Sequence, residues 1–187
     1  MNLTNHFLVA MPTMQDPQFK QSVIYLCEHN DEGAMGIIIN HPIDISIANM
    51  LEQIEVDRTL PIADPVSLES PVLNGGPVSE DRGFVLHTTK GQYNSSLPVN
   101  SELAVTTSLD ILSELGTTQA PEQFIVALGY AGWDAGQLEQ ELVDNNWLTI
   151  EADDNIIFST PVGERWHKAI EKLGFNLANL SLDIGHA

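Results

Sequence analysis

Gln123-Phe124-Ile125-Val126-Ala127-Leu128-Gly129-Tyr130-Ala131-Gly132-Trp133-Asp134-Ala135-Gly136-Gln137-Leu138-Glu139-Gln140-Glu141-Leu142 is the stretch whose reading decides the fold. Phe124 to Leu128 is almost continuously apolar, as a strand covered on both faces must be, so Gln123–Tyr130 is predicted to be a central strand. Asp134 then reads as the N-cap of a helix, with Gln137 at the reciprocal capping-box position and Leu138 and Leu142 meeting the core at i, i+4. Glycines between a buried strand and a helix start mark a place where open α/β sheets bind ligands. Their spacing is neither a dinucleotide fingerprint nor a phosphate-binding loop. Asp134 would also compete with a phosphate for the same helix-end N–H groups, so a nucleotide is disfavoured.

Upstream, His6–Ala10, Ser22–Glu28 and Ala34–Asn40 are short and rich in Val, Ile, Leu and Tyr, which predicts strands. The polar spacer Asn30-Asp31-Glu32-Gly33 suits a hairpin loop. Ile47, Met50, Leu51 and Ile54 fall at i, i+3, i+4 and i+7, the stripe of an amphipathic helix capped by Ser46. A proline-dotted loop from Pro61 to Pro71 leads to a short strand ending at Asn74-Gly75-Gly76-Pro77, then to strands at Gly83–Thr88 and Leu103–Thr107. Thr107 with Asp110 reads as a capping box for a helix through Leu109, Leu112 and Leu115, stopped by Gly116.

Downstream, Trp147–Ile150 and Asn155–Phe158 read as a hairpin around Asp153-Asp154. The last helix has Thr160 as N-cap, Pro161 at its first position, Glu164 paired with Lys168, and Gly174 past its end. Trp166, Ala169, Ile170 and Leu173 form its buried stripe. Helices interleaved with hairpins do not give the strict alternation of a doubly wound parallel sheet, so the class is mixed α+β with a mixed sheet and peripheral helices. No repeat or linker divides residues 1–187, which are expected to form a single domain.

Composition narrows the function. Apolar residues make up 43 % of the chain, enough for a core without staples. Cys27 is the only cysteine, which excludes an internal disulfide, a CxxC pair and a four-cysteine zinc site. With no basic leader and no long apolar run, the expected location is the cytoplasm, without a membrane partner. Twenty-six acidic residues against seven basic ones give a formal charge of −19, which repels nucleic-acid phosphates. Arg165, Lys168 and Lys172 line one side of the last helix as the sole basic stripe. Its alignment with the helix dipole accounts for it better than a nucleic-acid contact does.

Few residues carry recognisable chemistry. Gly75-Gly76-Pro77 could form an anion nest, although tight turns use the same residues. Trp133 could wall a pocket, with Gln137 offering hydrogen bonds, or could simply pack. Cys27 and His29, two apart on a strand, should share a face and invite a thiolate–imidazole pair; their Cβ separation of roughly 7 Å opposes it. His41 and His87 could join carboxylates at a metal, but no metal-site spacing supports this, and no cofactor or metal is expected. No GxSxG nucleophile elbow is present.

The segments DPQFKQSVIYLCEH (16–29), GAMGIIINHP (33–42), NGGPV (74–78), GFVLHT (83–88), GYAGWDAGQLEQEL (129–142) and ERWHKAIEKLG (164–174), in this order, resemble the bacterial YqgE/AlgH family. The resemblance implies an α/β fold on a bifurcated, mostly antiparallel sheet wrapped toward a pseudo-barrel with peripheral helices. It implies no established enzyme activity; one branch is associated with regulation of alginate synthesis. Matching motif positions include Asp16, Phe19, Glu28, His29, Gly129, Gly136 and Trp166, and also Asn40, Pro42, Gly75, Gly76, Pro77, Gly132, Trp133 and Gln137. His41 stands where many members carry a basic residue, and Asp134-Ala135 where glycine and proline are frequent; both departures count against anion binding. The function expected is a noncatalytic module whose pocket, bordered by Asn40, Pro42, Gly75, Gly76, Pro77, His87, Gly132, Trp133 and Gln137, takes a small neutral or cationic ligand or a protein partner. The alternatives are a hydrolase or transferase using Cys27, His29 or His87, and a transcriptional regulator, which the charge opposes.

Overall fold

The computed structural model describes residues 1–89 and 92–174. In chain order the strands are β1 (His6–Ala10), β2 (Val23–Asn30), β3 (Gly33–Ile38), β4 (Pro42–Ser46), β5 (Pro71–Asn74), β6 (Val78–Thr88), β7 (Ser96–Pro98), β8 (Leu103–Thr106), β9 (Phe124–Asp134) and β10 (Trp147–Glu151). The α-helices are α1 (Ile47–Gln53), α2 (Leu109–Glu114), α3 (Gln137–Val143) and α4 (Arg165–Lys172). The fold is mixed α+β and its strand pairs are antiparallel, apart from β5 with β9. The chain divides into two compact units, Met1–His41 with Ala131–Ala187, and Pro42–Tyr130. One of these borders falls inside β9, where no linker could mark it.

In the first unit the strand order is β10-β1-β2-β3, with the end of β9 beside β3. Phe7, Leu8, Val9 and Ala10 are fully buried because β1 is central and covered on both faces. One cluster joins Leu8, Ile24, Leu26 and Ile38 to Trp133, Trp147 and Leu138 of α3. From α4, Trp166, Ala169 and Ile170 are buried, and the Trp166 indole donates to Ala10 O at 3.0 Å.

In the second unit β9 lies between β5 and β6, followed by β8 and β7. Its core gathers Ile47, Met50 and Leu51 of α1, Ile111 and Leu112 of α2, and Val72, Val85 and Val126 from the sheet. Ser46 caps α1, its Oγ accepting from Asn49 N at 3.1 Å.

Several elements differ from the sequence expectations. Asn155–Ser159 is a single π-helical turn, not a strand, and β10 pairs with β1 rather than forming a hairpin. The strand β9 continues past Gly129 and Gly132 to Asp134, and the N-cap of α3 is Gly136, at φ 80°. The reciprocal half of the expected capping box survives, since Gln137 Oε1 accepts from Asp134 N at 3.0 Å. Helix α2 is preceded by Ser108, not Thr107. A 3₁₀ turn at Val162–Glu164 intervenes before α4, so Thr160 is not its cap.

Nor do the three basic residues of α4 form a stripe. Arg165 is 5 % exposed, its Nε donating to Thr160 O at 3.0 Å and Nη1 to Ile39 O, and burial lowers its pKa to about 10. Lys172 pairs with Asp153 at 3.1 Å, and Lys168 pairs with Glu171 rather than Glu164.

Candidate functional site

The glycine-rich turn after β5 spends its donors internally. Gly75 N donates to Leu128 O at 2.8 Å and Gly76 N to Asn74 Oδ1 at 3.2 Å, so these N–H groups do not converge on open space. The glycines are needed for close approach. A Cβ on Gly75 would lie 2.3 Å from Gly129 O, and one on Gly129, at φ 78°, would lie 2.3 Å from Gly76 O. Asn40 is likewise a clamp, accepting from Val23 N and donating to Gln21 O, both at 2.8 Å. Pro42 opens β4 opposite Leu73.

Around Trp133 the polar groups also satisfy one another. Glu141 Oε2 accepts from the indoles of Trp133 and Trp147, each at 2.9 Å, and Glu141 Oε1 accepts from Gln137 Nε2 at 3.2 Å. This carboxylate fixes both rings. Trp133 and Gly33 line a shallow groove of about 220 Å³ together with Glu28, Asn30, Glu32, Ala34 and Met35. Gly132, exposed on β9, pairs with Met35 of β3. Of the expected pocket set, Trp133 lines this groove, and Gln137 bonds to the Glu141 carboxylate that holds its indole.

The thiolate–imidazole pair is not formed. Pairing skips Cys27 between Leu26 and Glu28, a bulge that breaks the simple alternation. Cys27 is buried and its Sγ faces Tyr25 O at 3.6 Å. Burial pushes the thiol pKa up, away from a thiolate. His29 is 2 % exposed; its Nδ1 accepts from Leu3 N at 3.0 Å, so Nε2 carries the proton and donates to Glu139 at 2.5 Å. That hydrogen bond holds the Glu139 carboxyl below its usual pKa.

His87 has the opposite tautomer. Its Nδ1 lies 2.9 Å from Thr88 O, which can only accept, so Nδ1 carries the proton. Its Nε2 faces Thr106 Oγ1 at 2.7 Å, and burial pushes its pKa down. Among the described residues no group of three His, Cys, Asp or Glu side chains could hold a metal ion.

A second groove lies in the second unit and was not foreseen from sequence. It has a volume of about 530 Å³, with Leu51, Val56, Ile62 and Leu68 as apolar lining and Glu52, Glu55 and Arg58 as charged lining. Helix α1 supplies Ala48, Leu51 and Glu52; after it, Glu55 adopts a left-handed backbone at φ 53° and turns the chain. Arg58 is turned away from any ligand role, since Nη1 donates to Leu112 O at 3.1 Å and Nη2 to Leu115 O, capping the C-terminal end of α2. Ile62 is 44 % exposed, and Ile54, Leu60 and Val66 in the same stretch of chain are exposed too. No motif in the sequence unites the residues of this groove, which is why sequence reasoning missed them.

The AlgH-like family matches residues 7–178 of this chain. The chain belongs to the AlgH-like family. Over all 187 residues of both chains it is 69 % identical to a UPF0301 protein of Photobacterium profundum and 61 % identical to one of Vibrio cholerae. It is 49 % identical to the AlgH protein of Pseudomonas aeruginosa, whose solution structure superposes with a TM-score of 0.78 over 100 % of this chain and 97 % of that one. A Corynebacterium diphtheriae protein at 19 % identity shares the fold, with a TM-score of 0.71 over 91 % of this chain and 86 % of that one. The bifurcated sheet that the resemblance implied is present, since β9 pairs with β5 and β6 in its first part and with β3 in its last. No helix among the described residues is long and apolar enough to cross a membrane.

Proposed function

We propose that this AlgH-like chain is a noncatalytic interaction module of the cytoplasm that binds a partly apolar, positively charged segment of a partner protein in the groove beside α1. The groove itself carries this reading, with apolar side chains at Leu51, Val56, Ile62 and Leu68 and carboxylates at Glu52 and Glu55. Its volume falls in the range of binding clefts, and its one lining cation, Arg58, is committed to the carbonyls of α2. A net charge of −19 steers cationic partners in and anionic ones away. The internal hydrogen bonding of Cys27, His29 and Gln137 supports binding over catalysis.

Calorimetric titration with a Leu/Lys amphipathic peptide tests this. The account expects saturable binding that weakens about tenfold, roughly 1.4 kcal/mol, in Glu52→Lys/Glu55→Lys. Equal affinity in that variant would overturn it, as would tighter binding of a Leu/Glu peptide or of duplex DNA.

A further inference from the structure

His87, Thr106 and Ser96 form a hydrogen-bonded line from the interior of the second unit to its surface. The strand β7 is the last of its sheet path, and Ser96 faces Thr106 of β8 in register. His87 is 2 % exposed and Thr106 is fully buried, whereas Ser96 is exposed. Thr106 Oγ1 is 2.7 Å from His87 Nε2 and 2.7 Å from Ser96 Oγ.

The direction of this line is fixed by one carbonyl. Thr88 O accepts from His87 Nδ1, so in the neutral ring Nε2 is an acceptor. The Thr106 hydroxyl must then donate to Nε2, which leaves its oxygen free to accept from Ser96. The competing acceptor for the Ser96 proton, Tyr93 O, is farther off at 3.4 Å. A buried imidazole held in one tautomer by an acceptor behind it, with a hydroxyl donating in front, is the arrangement that activates a nucleophile. Here the activated hydroxyl is reached through one intervening hydroxyl.

We propose that Ser96 is a site of single, stoichiometric acylation, not of turnover, which takes an acyl group from an activated carboxylic ester with His87 receiving the proton through Thr106. Ser96 Oγ bonds to the acyl carbon as the carbon–oxygen bond to the leaving alkoxide or aryl oxide breaks, and the bonding pair leaves with that oxygen. The Ser96 proton passes to Thr106 Oγ1 while the Thr106 proton passes to His87 Nε2. The imidazolium proton then passes back through Thr106 to that departing oxide, which leaves as an alcohol or phenol, and the ring returns to its neutral form. A neutral electrophile is favoured over a phosphoryl donor because Asp110 accepts from Asn94 N and Glu114 from Tyr93 OH, placing two carboxylates of α2 against the segment that precedes Ser96.

The test incubates the full chain with p-nitrophenyl acetate and follows acetylation of each serine by peptide mass spectrometry. Ser96 is expected to label roughly 100-fold faster than exposed Ser101, the lower end of what a positioned general base supplies. Thr106→Val is expected to drop Ser96 to the Ser101 rate, and Thr106→Ser to restore it. Equal labelling of Ser96 and Ser101 in the wild-type chain would overturn the proposal without any variant, as would full-rate labelling of folded Thr106→Val.

Discussion

Replacing Gly129 by alanine isolates the close approach that fixes the turn after β5. At φ 78° a Cβ costs about 1–2 kcal/mol in backbone strain. That Cβ would also lie 2.3 Å from Gly76 O, 3.1 Å from Val78 O and 3.3 Å from Glu80 Cα, all backbone atoms with no rotamer to yield. The turn must therefore move, releasing the Gly75 N to Leu128 O bond and leaving buried groups unpaired at about 1–3 kcal/mol. The total is roughly 2–5 kcal/mol. Gly83→Ala is the matched control, because its Cβ meets nothing within 4 Å and should change stability by no more than about 1 kcal/mol, in the stabilising direction. Urea unfolding followed by far-UV circular dichroism reads both; Trp133, Trp147 and Trp166 all lie in the other unit, and their fluorescence reports that unit separately. A Gly129→Ala cost within about 0.5 kcal/mol of zero would refute the interlocked-turn argument.

Long-range ¹H–¹⁵N correlation should find His29 protonated at Nε2 and His87 at Nδ1; the same tautomer in both would contradict the hydrogen-bond assignments. Cys27 should stay unreactive to a thiol reagent in the native chain and react on unfolding, whereas rapid native-state reaction would mean that its burial is misassigned. Trp166→Ala should cost about 3–5 kcal/mol, through the lost indole and the unpaired Ala10 carbonyl; a cost near zero in thermal unfolding would remove α4 from the core.

Much of the fold was legible because local signals agreed with the tertiary structure. The strand β1 was read residue for residue, and Ser46 caps α1 as its spacing demands. Asn155 to Phe158 misled because a short apolar run has no decisive period, and only the absence of a partner strand makes it a turn of helix. Gly132 was read as part of the connection between strand and helix, yet it lies within β9; Gly129, inside the predicted strand, is needed there because the backbone of Gly76 approaches it closely. Arg165 was read as surface charge because its acceptors, Thr160 O and Ile39 O, are backbone groups with no sequence signature. The groove beside α1 was invisible for a related reason: its lining is drawn from a helix and the proline-dotted loop after it, and no motif unites Leu51, Val56, Ile62 and Leu68.

The most direct test of the interaction-module account is an ¹⁵N amide titration of the intact chain with the Leu/Lys peptide at two salt concentrations. The account predicts saturable shifts centred on Ala48, Leu51, Glu52, Val56 and Leu68, with affinity falling as salt screens Glu52 and Glu55. Shifts centred instead on Glu28, Glu32 and Trp133, or none at either salt concentration, would contradict it.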